Sequence, residues 1–395
     1  MRVLVLTSTL PRWAGDTEPR FVLDLSRYLK KDCDILILAP HDRGANESEP
    51  LEGVNIIRYH YFPERWASLV YDGGITAKIK NNRFRILQVP FLLFFQYLAT
   101  LNCIREWKPD VIHAHWIIPS GLIAVLASNR KIPVICTSHG GDLYGLKQTF
   151  FTQIKQWVIK RCGKITVVSE TMKNEILKLQ NNLDPSVISM GADLTSKFIP
   201  ATNLVSRDKF TILFVGRLVE KKGLIYLIDI IPELIKHYPA VKLKIIGSGP
   251  MKKTISDRIN TLKVEQHVDI YGSLEQSALI THYQNATVFV SPFIEATDGD
   301  QEGLGLVLVE AAGCECPVIC GDVPAVKDVI EHNVTGQIVN ARQPEELLCA
   351  IQNVFDNESH YIEMARKMRT HVKTKYDWNN IAAKYYALFK DINNP

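Results

Sequence analysis

The sequence predicts an α/β protein built from two doubly wound parallel sheets in tandem, on three observations. Short apolar runs alternate with helical patterns along the chain, as parallel strands and their crossover helices do. The rhythm stops in the stretch 194–209 (LTSKFIPATNLVSRDK), which has neither period and contains Pro200, and then restarts. The chain has 395 residues, 46% of them hydrophobic and 22% charged, enough core for two domains. That composition excludes a disordered, collagen-like or coiled-coil chain.

In order, RVLVLTS (2–8) reads as the first strand and Phe21–Lys30 as its helix. DILILAP (34–40) and GVNIIRYHYF (53–62) are the next strands. After a long apolar helix come PDVIHAH (109–115), IPVICTSH (132–139), KITVVSE (164–170) and VISMGAD (187–193). The second series opens with FTILFVGRL (210–218), then a helix over 223–237, VKLKIIGSG (241–249) and a helix from about Met251. VDIYG (268–272), TVFVSP (287–292), a helix near 305–313, PVICGD (317–322) and GQIVN (336–340) follow. Glu345–Phe355 is helical, and the chain ends in helices rich in Lys, Tyr and Trp. In such folds ligands bind beyond the carboxyl ends of the strands, so two facing units place the site in a cleft between them.

The formal charge of +4 hides an asymmetry. Residues 1–200 carry 25 basic and 18 acidic groups, whereas 201–395 carry 21 and 24. The acidic half lacks a basic stripe, which argues against nucleic acid as a partner. The opening run reads as a buried strand and not as a secretory signal, so a cytoplasmic location is expected, with the eight cysteines reduced. The longest uncharged apolar run, Ile86 to Leu101, is interrupted by Gln88, Pro90 and Gln96 and is short for a membrane span. Arg58, Arg65, Lys78, Lys80, Arg83 and Arg85 precede it. That order suits an anionic membrane surface and a polyprenyl-linked acceptor; a buried helix beside a solvated basic loop is the competing reading.

Three segments of the second half carry the chemistry. Strand FTILFVG runs into Arg217, with Lys222-Gly223 where the next helix starts, an anion site in waiting or two solvated cations on a turn. IIGSGP (245–250) permits close backbone approach, yet Gly247 and Gly249 also fit an ordinary tight turn. EATDGDQEGLGLVLVEAAG (295–313) decides. Glu302 precedes a Gly-rich helix start, where the N–H groups of Leu306 and Val307 face outward, and Glu310 follows eight residues on. Two carboxylates bracketing a phosphate-binding helix end suit a ligand with hydroxyls on both sides of a phosphate: a nucleotide sugar.

GRLVEKKG, IIGSGP, EGLGLVLVE and CPVICGD…NVTGQIV, with LPRWAGD…PRFV, PDVIHAHW and SHGGDLYG before them, resemble in order and spacing the family 4 retaining glycosyltransferases of GT-B fold. The likeness covers nearly the whole chain and looks like the enzymes that build bacterial polysaccharides. It implies an acceptor-side Rossmann-like domain over 1–195 and a nucleotide-sugar-binding one over 196–378, with a helix at about 379–395 packing back on the first. It implies that Arg217 and Lys222 hold the donor diphosphate with Gly303, Leu304, Leu306 and Val307. Glu310 would bind ribose hydroxyls, Gly247 and Tyr271 would lie by the nucleotide, and Gly15 would approach the phosphates. Glu302 and His139 would contact the transferred sugar.

Two departures stand out. Trp13-Ala14-Gly15-Asp16 replaces the paired glycine many relatives have, and Glu315 stands where the family ends a helix with glycine.

The implied reaction is transfer of a hexose from a UDP- or GDP-linked donor to a glycan or lipid-linked saccharide, with retention and without metal or cofactor. A sugar-nucleotide epimerase of the same fold and a non-catalytic transferase-like subunit are the alternatives. Cys314, Cys316 and Cys320 straddle a helix end and a strand and match no common zinc spacing. Asp298-Gly299-Asp300 resembles a metal motif in letters only, His113 reads as structural and His115 as a cleft residue, and Asp142 reads as a helix N-cap, with an acceptor-side base as the competing reading.

Overall fold

The computed structural model of the chain describes residues 1–71, 73–146, 148–201 and 207–393. Residues 202–206 of the expected interdomain stretch, and the last two of the expected terminal helix, lie outside the described residues. The chain forms two compact units, Met1–Met190 with the segment from Trp378 onward, and Gly191–Asp377.

The first unit is built on β1 (Arg2–Leu6), β2 (Asp34–Pro40), β3 (Ser48–Leu51), β4 (Val54–Tyr59), β5 (Val111–His115), β6 (Val134–Ser138), β7 (Lys164–Val167) and β8 (Ser186–Val187). They lie in the order β3-β4-β2-β1-β5-β6-β7-β8, parallel except for β3 against β4. Val3, Leu4, Val5 and Leu6 are all buried, as helices on both faces of a parallel sheet require. The helix Trp378–Asn393 belongs to this unit: Tyr385 reaches Thr137 Oγ1 at 3.2 Å, and Trp378, Ile381 and Phe389 are buried.

The second unit is built on β9 (Asp208–Val215), β10 (Lys242–Ile246), β11 (Val268–Gly272), β12 (Ala286–Ser291), β13 (Val318–Gly321) and β14 (Gln337–Val339), all parallel, in the order β11-β10-β9-β12-β13-β14. Phe214, Ile245, Leu227, Val290 and Ile351 share its core.

One strand is added and two expectations change. Ser48–Leu51 is a strand, which Pro50 and two polar residues concealed; it is an edge strand, where proline is tolerated. The run 187–193 contributes only Val187 to a strand, and its later backbone turns to Tyr376, whose carbonyl accepts the N–H of Ala192. The helix over 223–237 is two helices, Leu224–Asp229 and Ile231–His237, because Pro232 has no N–H to continue the first.

The helix Leu306–Gly313 ends in a Schellman motif, with Cys316 N–H on Ala311 O and Glu315 N–H on Ala312 O, both at 3.0 Å. Glu315 therefore sits at φ 55, a left-handed position that favours glycine. Arg207 donates to its carbonyl at 2.7 Å, and its carboxylate lies 3.7–3.8 Å from Arg369 and Arg366. The helix keeps the ending and carries the strain.

Candidate active site

In the second sheet the strand order reverses between β9 and β12, and the loops after these two strands flank the crevice where open α/β sheets bind ligands. The chemistry-bearing residues sit on those loops. Arg217 is exposed two residues beyond β9. Lys222, nearly buried, closes the same loop, and its Nζ lies 2.7 Å from Glu302 Oε2 and 4.6 Å from the centre of the Phe293 ring. Burial acts to raise the Glu302 carboxyl, but Lys222 and Lys221, with the N–H of Gly303, hold it at about 2. Glu302 is thus a fixed anion and Lys222 a fixed cation, each oriented by the other.

The loop carrying Glu302 is held to the loop carrying Lys222 at further points. Lys221 Nζ reaches Asp300 Oδ1 and the carbonyl of Gln301 at 3.1 Å. Glu220 accepts both the N–H and the hydroxyl of Thr297, at 3.0 and 3.1 Å. Asp300 of the Asp298-Gly299-Asp300 triplet is engaged in this latch. Close backbone contact completes it: Gly223 has φ 64, and a Cβ there would sit 1.8 Å from Pro292 O. Gly247 answers to the same demand, since a Cβ on it would lie 1.9 Å from Gly216 O. Packing against the β9 loop is reason enough for that glycine.

The helix Leu306–Gly313 starts beside this pair, with Gly305 as its first flanking residue and the Phe293 ring 3.1 Å from where a Cβ of Gly305 would stand. Leu308 N–H donates to Gly305 O at 2.9 Å, so the N–H groups of Leu306 and Val307 are the ones a helix start leaves to a ligand or solvent. Gly303 and Leu304 are buried and position the turn. Glu310, one helical face further on, accepts from the hydroxyl of Tyr283 at 3.0 Å. Tyr283 is fully buried, and burial followed by the Glu310 charge pushes its phenol far up, so it stays a donor. Tyr271, the second-last residue of β11, is exposed.

In the first unit the strand order reverses between β1 and β5. Gly15 stands in a turn after β1 closed by Asp16 N–H on Trp13 O, and Arg12 clamps Asp16 through its Nε at 2.8 Å and its terminal nitrogen at 3.0 Å. His139, just past β6, shares a hydrogen bond of 2.9 Å with His115 Nδ1 and packs against Phe21 and Trp116, each ring 4.9 Å away. Trp116 is held at φ 71 after β5, backbone strain of the kind that collects at functional sites.

His115 does not line the crevice. It is fully buried beneath His139, and His113, further in, meets Thr137 Oγ1 at 2.8 Å. Burial pushes all three imidazoles down, His113 to about 3, so the row is neutral.

Asp142 is not a helix N-cap either. It lies inside the short helix Gly141–Tyr144, and its buried carboxylate accepts from Ile117 N at 2.7 Å, Ser138 Oγ at 2.9 Å and His139 N at 3.2 Å. Burial nonetheless pushes its carboxyl up, against those donors. It ties the ends of β5 and β6 together beneath His139.

Among the described residues no three His, Cys, Asp or Glu side chains converge as metal ligands. Cys314, Cys316 and Cys320 are buried, and burial pushes their thiols up, away from the thiolate a metal needs.

Sequence reasoning missed Phe293, Tyr283, Lys221 and the anchoring role of Asp142. Lys221 was visible as the neighbour of Lys222. Tyr283 carried no signal, because it meets Glu310 across two helices 27 residues apart.

Two family models divide the chain: "Glycosyl transferases group 1" matches residues 196–375 and "Glycosyltransferase Family 4" matches 19–196. A glycogen synthase of Mycobacterium tuberculosis is 25% identical over 295 residues, 72% of this chain and 69% of that protein. A GDP-mannose-dependent α-(1-6)-phosphatidylinositol monomannoside mannosyltransferase of the same organism is 29% identical over 178 residues, 45% of this chain and 46% of that one. HepE of Anabaena, solved in complex with UDP, superposes with a TM-score of 0.75 over 99% of this chain and 100% of its own, at 15% identity. That likeness shows the fold, two parallel-sheet α/β units of GT-B type.

Proposed function

The chain belongs to the glycosyltransferases, of family 4 over its N-terminal half and group 1 over its C-terminal half, and from that premise we propose that it moves a hexose from a UDP- or GDP-linked donor to a glycan or lipid-linked saccharide, with retention of configuration, in the cytoplasmic stage of cell-surface polysaccharide synthesis. The observation that carries this reading is the Lys222–Glu302 pair at 2.7 Å beside the start of the helix Leu306–Gly313, with Arg217 on the same loop as Lys222. One named relative is GDP-mannose-dependent and one solved neighbour is bound to UDP, which supports a nucleotide-sugar donor of one of these two kinds.

In the proposed step the bond between the anomeric carbon and the donor phosphate oxygen breaks, and its electron pair leaves with the diphosphate. The acceptor hydroxyl forms the new glycosidic bond from the same face and gives its proton to a phosphate oxygen. Charge growing on the diphosphate is stabilised by Arg217, Lys222 and the N–H groups of Leu306 and Val307, already oriented and without metal or cofactor. Glu302 positions the sugar and holds Lys222. Glu310, aligned by Tyr283, takes the ribose hydroxyls, and Gly247 and Tyr271 lie by the nucleotide. Gly15 and His139 keep the roles the resemblance gives them, approach to the phosphates and contact with the sugar.

Incubation with UDP-, GDP- and ADP-sugars tests this without an acceptor, by slow release of free nucleotide. One UDP- or GDP-sugar is expected to be hydrolysed by the native chain and to survive with Lys222→Ala. Hydrolysis equal in the two proteins, or of no donor, contradicts the reading.

A further inference from the structure

The long apolar helix Val89–Trp107 of the first unit, continued at its start by the turn Arg83–Gln88, packs inside out. The side it buries is Gln88, Leu92, Gln96, Thr100 and Cys103, at helical spacing and mostly polar. These polar groups find partners: Gln88 donates to Trp66 O at 3.0 Å, Gln96 to Ser120 Oγ at 3.4 Å, and Thr100 to Gln96 O at 2.7 Å. The opposite side is a stripe of large apolar residues at the same spacing. Phe84 is 82% exposed, Leu87 65%, Phe91 47%, Phe94 55%, and Phe95 and Leu98 39% each. Folding the unit leaves this face in solvent, the reverse of what a core helix does. The helix and the segment before it, residues 73–107, carry Lys78, Lys80, Arg83, Arg85 and Arg105 against a single carboxylate, Glu106 in the last turn.

We propose that this face docks on an anionic lipid bilayer, with the helix lying in the plane of the interface and the aromatic stripe inserted among the headgroups. Three features select that occupant. Exposed phenylalanines and leucines along one side of a helix suit the boundary between headgroup and acyl chain, and the exposed Lys80, Arg83 and Arg105 of the same segment match anionic headgroups. A second copy of this chain on the same face would bring two strongly basic segments together, which like charge opposes. A membrane-spanning arrangement conflicts with Gln88, Gln96 and Thr100, which are buried on the protein side and hydrogen-bonded there. The helix lies on the membrane and does not cross it. The inference concerns a face distinct from the Lys222–Glu302 site and stands without the transferase reading.

Flotation of the full chain with vesicles of phosphatidylcholine alone, and of phosphatidylcholine with phosphatidylglycerol, tests it. The native chain is expected to float with the anionic vesicles, to bind the neutral ones at least tenfold more weakly, and to lose most of the difference at high salt. Phe91→Ser with Phe94→Ser is expected to cut binding to anionic vesicles at least about thirtyfold. Lys80→Gln with Arg83→Gln is expected to cut it about tenfold on anionic vesicles and not at all on neutral ones. All four positions lie at the surface of the unit, and an unchanged thermal midpoint confirms folding. Native protein that floats with neither vesicle overturns the proposal, as does a double serine variant that floats like the native chain. A dimer in light scattering that the serine substitutions dissociate also overturns it, by assigning the face to a second copy.

Discussion

The two units use one topology for opposite chemistry. Each sheet has a point where the strand order reverses, between β1 and β5 in the first and between β9 and β12 in the second. In the second unit that point gathers fixed charge: Lys222 against Glu302, Lys221 against Asp300, and the start of a helix. In the first it gathers neutral rings, His113 and His115 buried and His139, Phe21 and Trp116 half-buried beside them. Topology sets where a site forms, and the residues on two loops set what it does. A charged site oriented before a ligand arrives is suited to a diphosphate, whereas a neutral imidazole row with aromatic walls is suited to sugar hydroxyls and apolar sugar faces.

Breaking the charged side is expected to have the largest effect. Lys222→Ala removes a cation oriented toward developing charge and leaves Glu302 buried without its partner, so donor hydrolysis should fall about 10³-fold, measured as kcat/KM. On the neutral side, Asp142→Ala strips three donors of their buried acceptor. It should cost about 3 kcal/mol of stability in urea unfolding while leaving nucleotide binding by the second unit nearly unchanged.

Acid separates the units next. His113 and His115 are neutral in the fold with lowered pKa values, so the unfolded chain binds more protons below its own pKa, about 6.5. Each should remove about 1.4 kcal/mol of stability per pH unit as pH falls below that value, down toward the folded pKa, about 3 for His113. Glu302, lowered to about 2, contributes stability that is full above the unfolded carboxyl value and is lost only as pH falls from about 4.5 toward 2. Hydrogen exchange at pH 5 should therefore show the first unit losing protection before the second.

Smaller effects sharpen the same contrast. Tyr283→Phe removes the donor that aligns Glu310 and should raise the donor KM about fivefold with kcat little changed. Glu315→Gly relieves the left-handed φ of 55 and should stabilise the second unit by about 0.5 kcal/mol in thermal unfolding, after loss of the long contacts to Arg366 and Arg369.

The fold was legible in the sequence wherever a strand is buried on both faces, because β1, β2, β9 and β12 carry the unbroken apolar runs VLVL, ILILA, ILFV and VFV. It was illegible at the edge, where Ser48–Leu51 is polar and carries Pro50. Of the charged site, Arg217, Lys222, Glu302 and the helix start were visible, since each is fixed by its place after a strand. The partnerships were not: Lys222 meets Glu302 from 80 positions away, and no local pattern encodes that distance. The imidazole row was half visible. Alternation put His113 and His115 on one face of β5, but only the packing shows His139 above His115 and Asp142 pinning the loops below. The inside-out helix was legible as an apolar run interrupted by Gln88, Pro90 and Gln96, and which side faced the core needed the structure.

The central claim, that the second unit holds a nucleoside diphosphate through charge oriented beforehand, is tested most directly by calorimetric titration of the native chain, Lys222→Ala and His139→Ala with UDP and with GDP. One of the two nucleotides is expected to bind the native chain, Lys222→Ala to weaken it at least a hundredfold, and His139→Ala to leave it within about threefold. Equal affinity for the native chain and Lys222→Ala would contradict the claim.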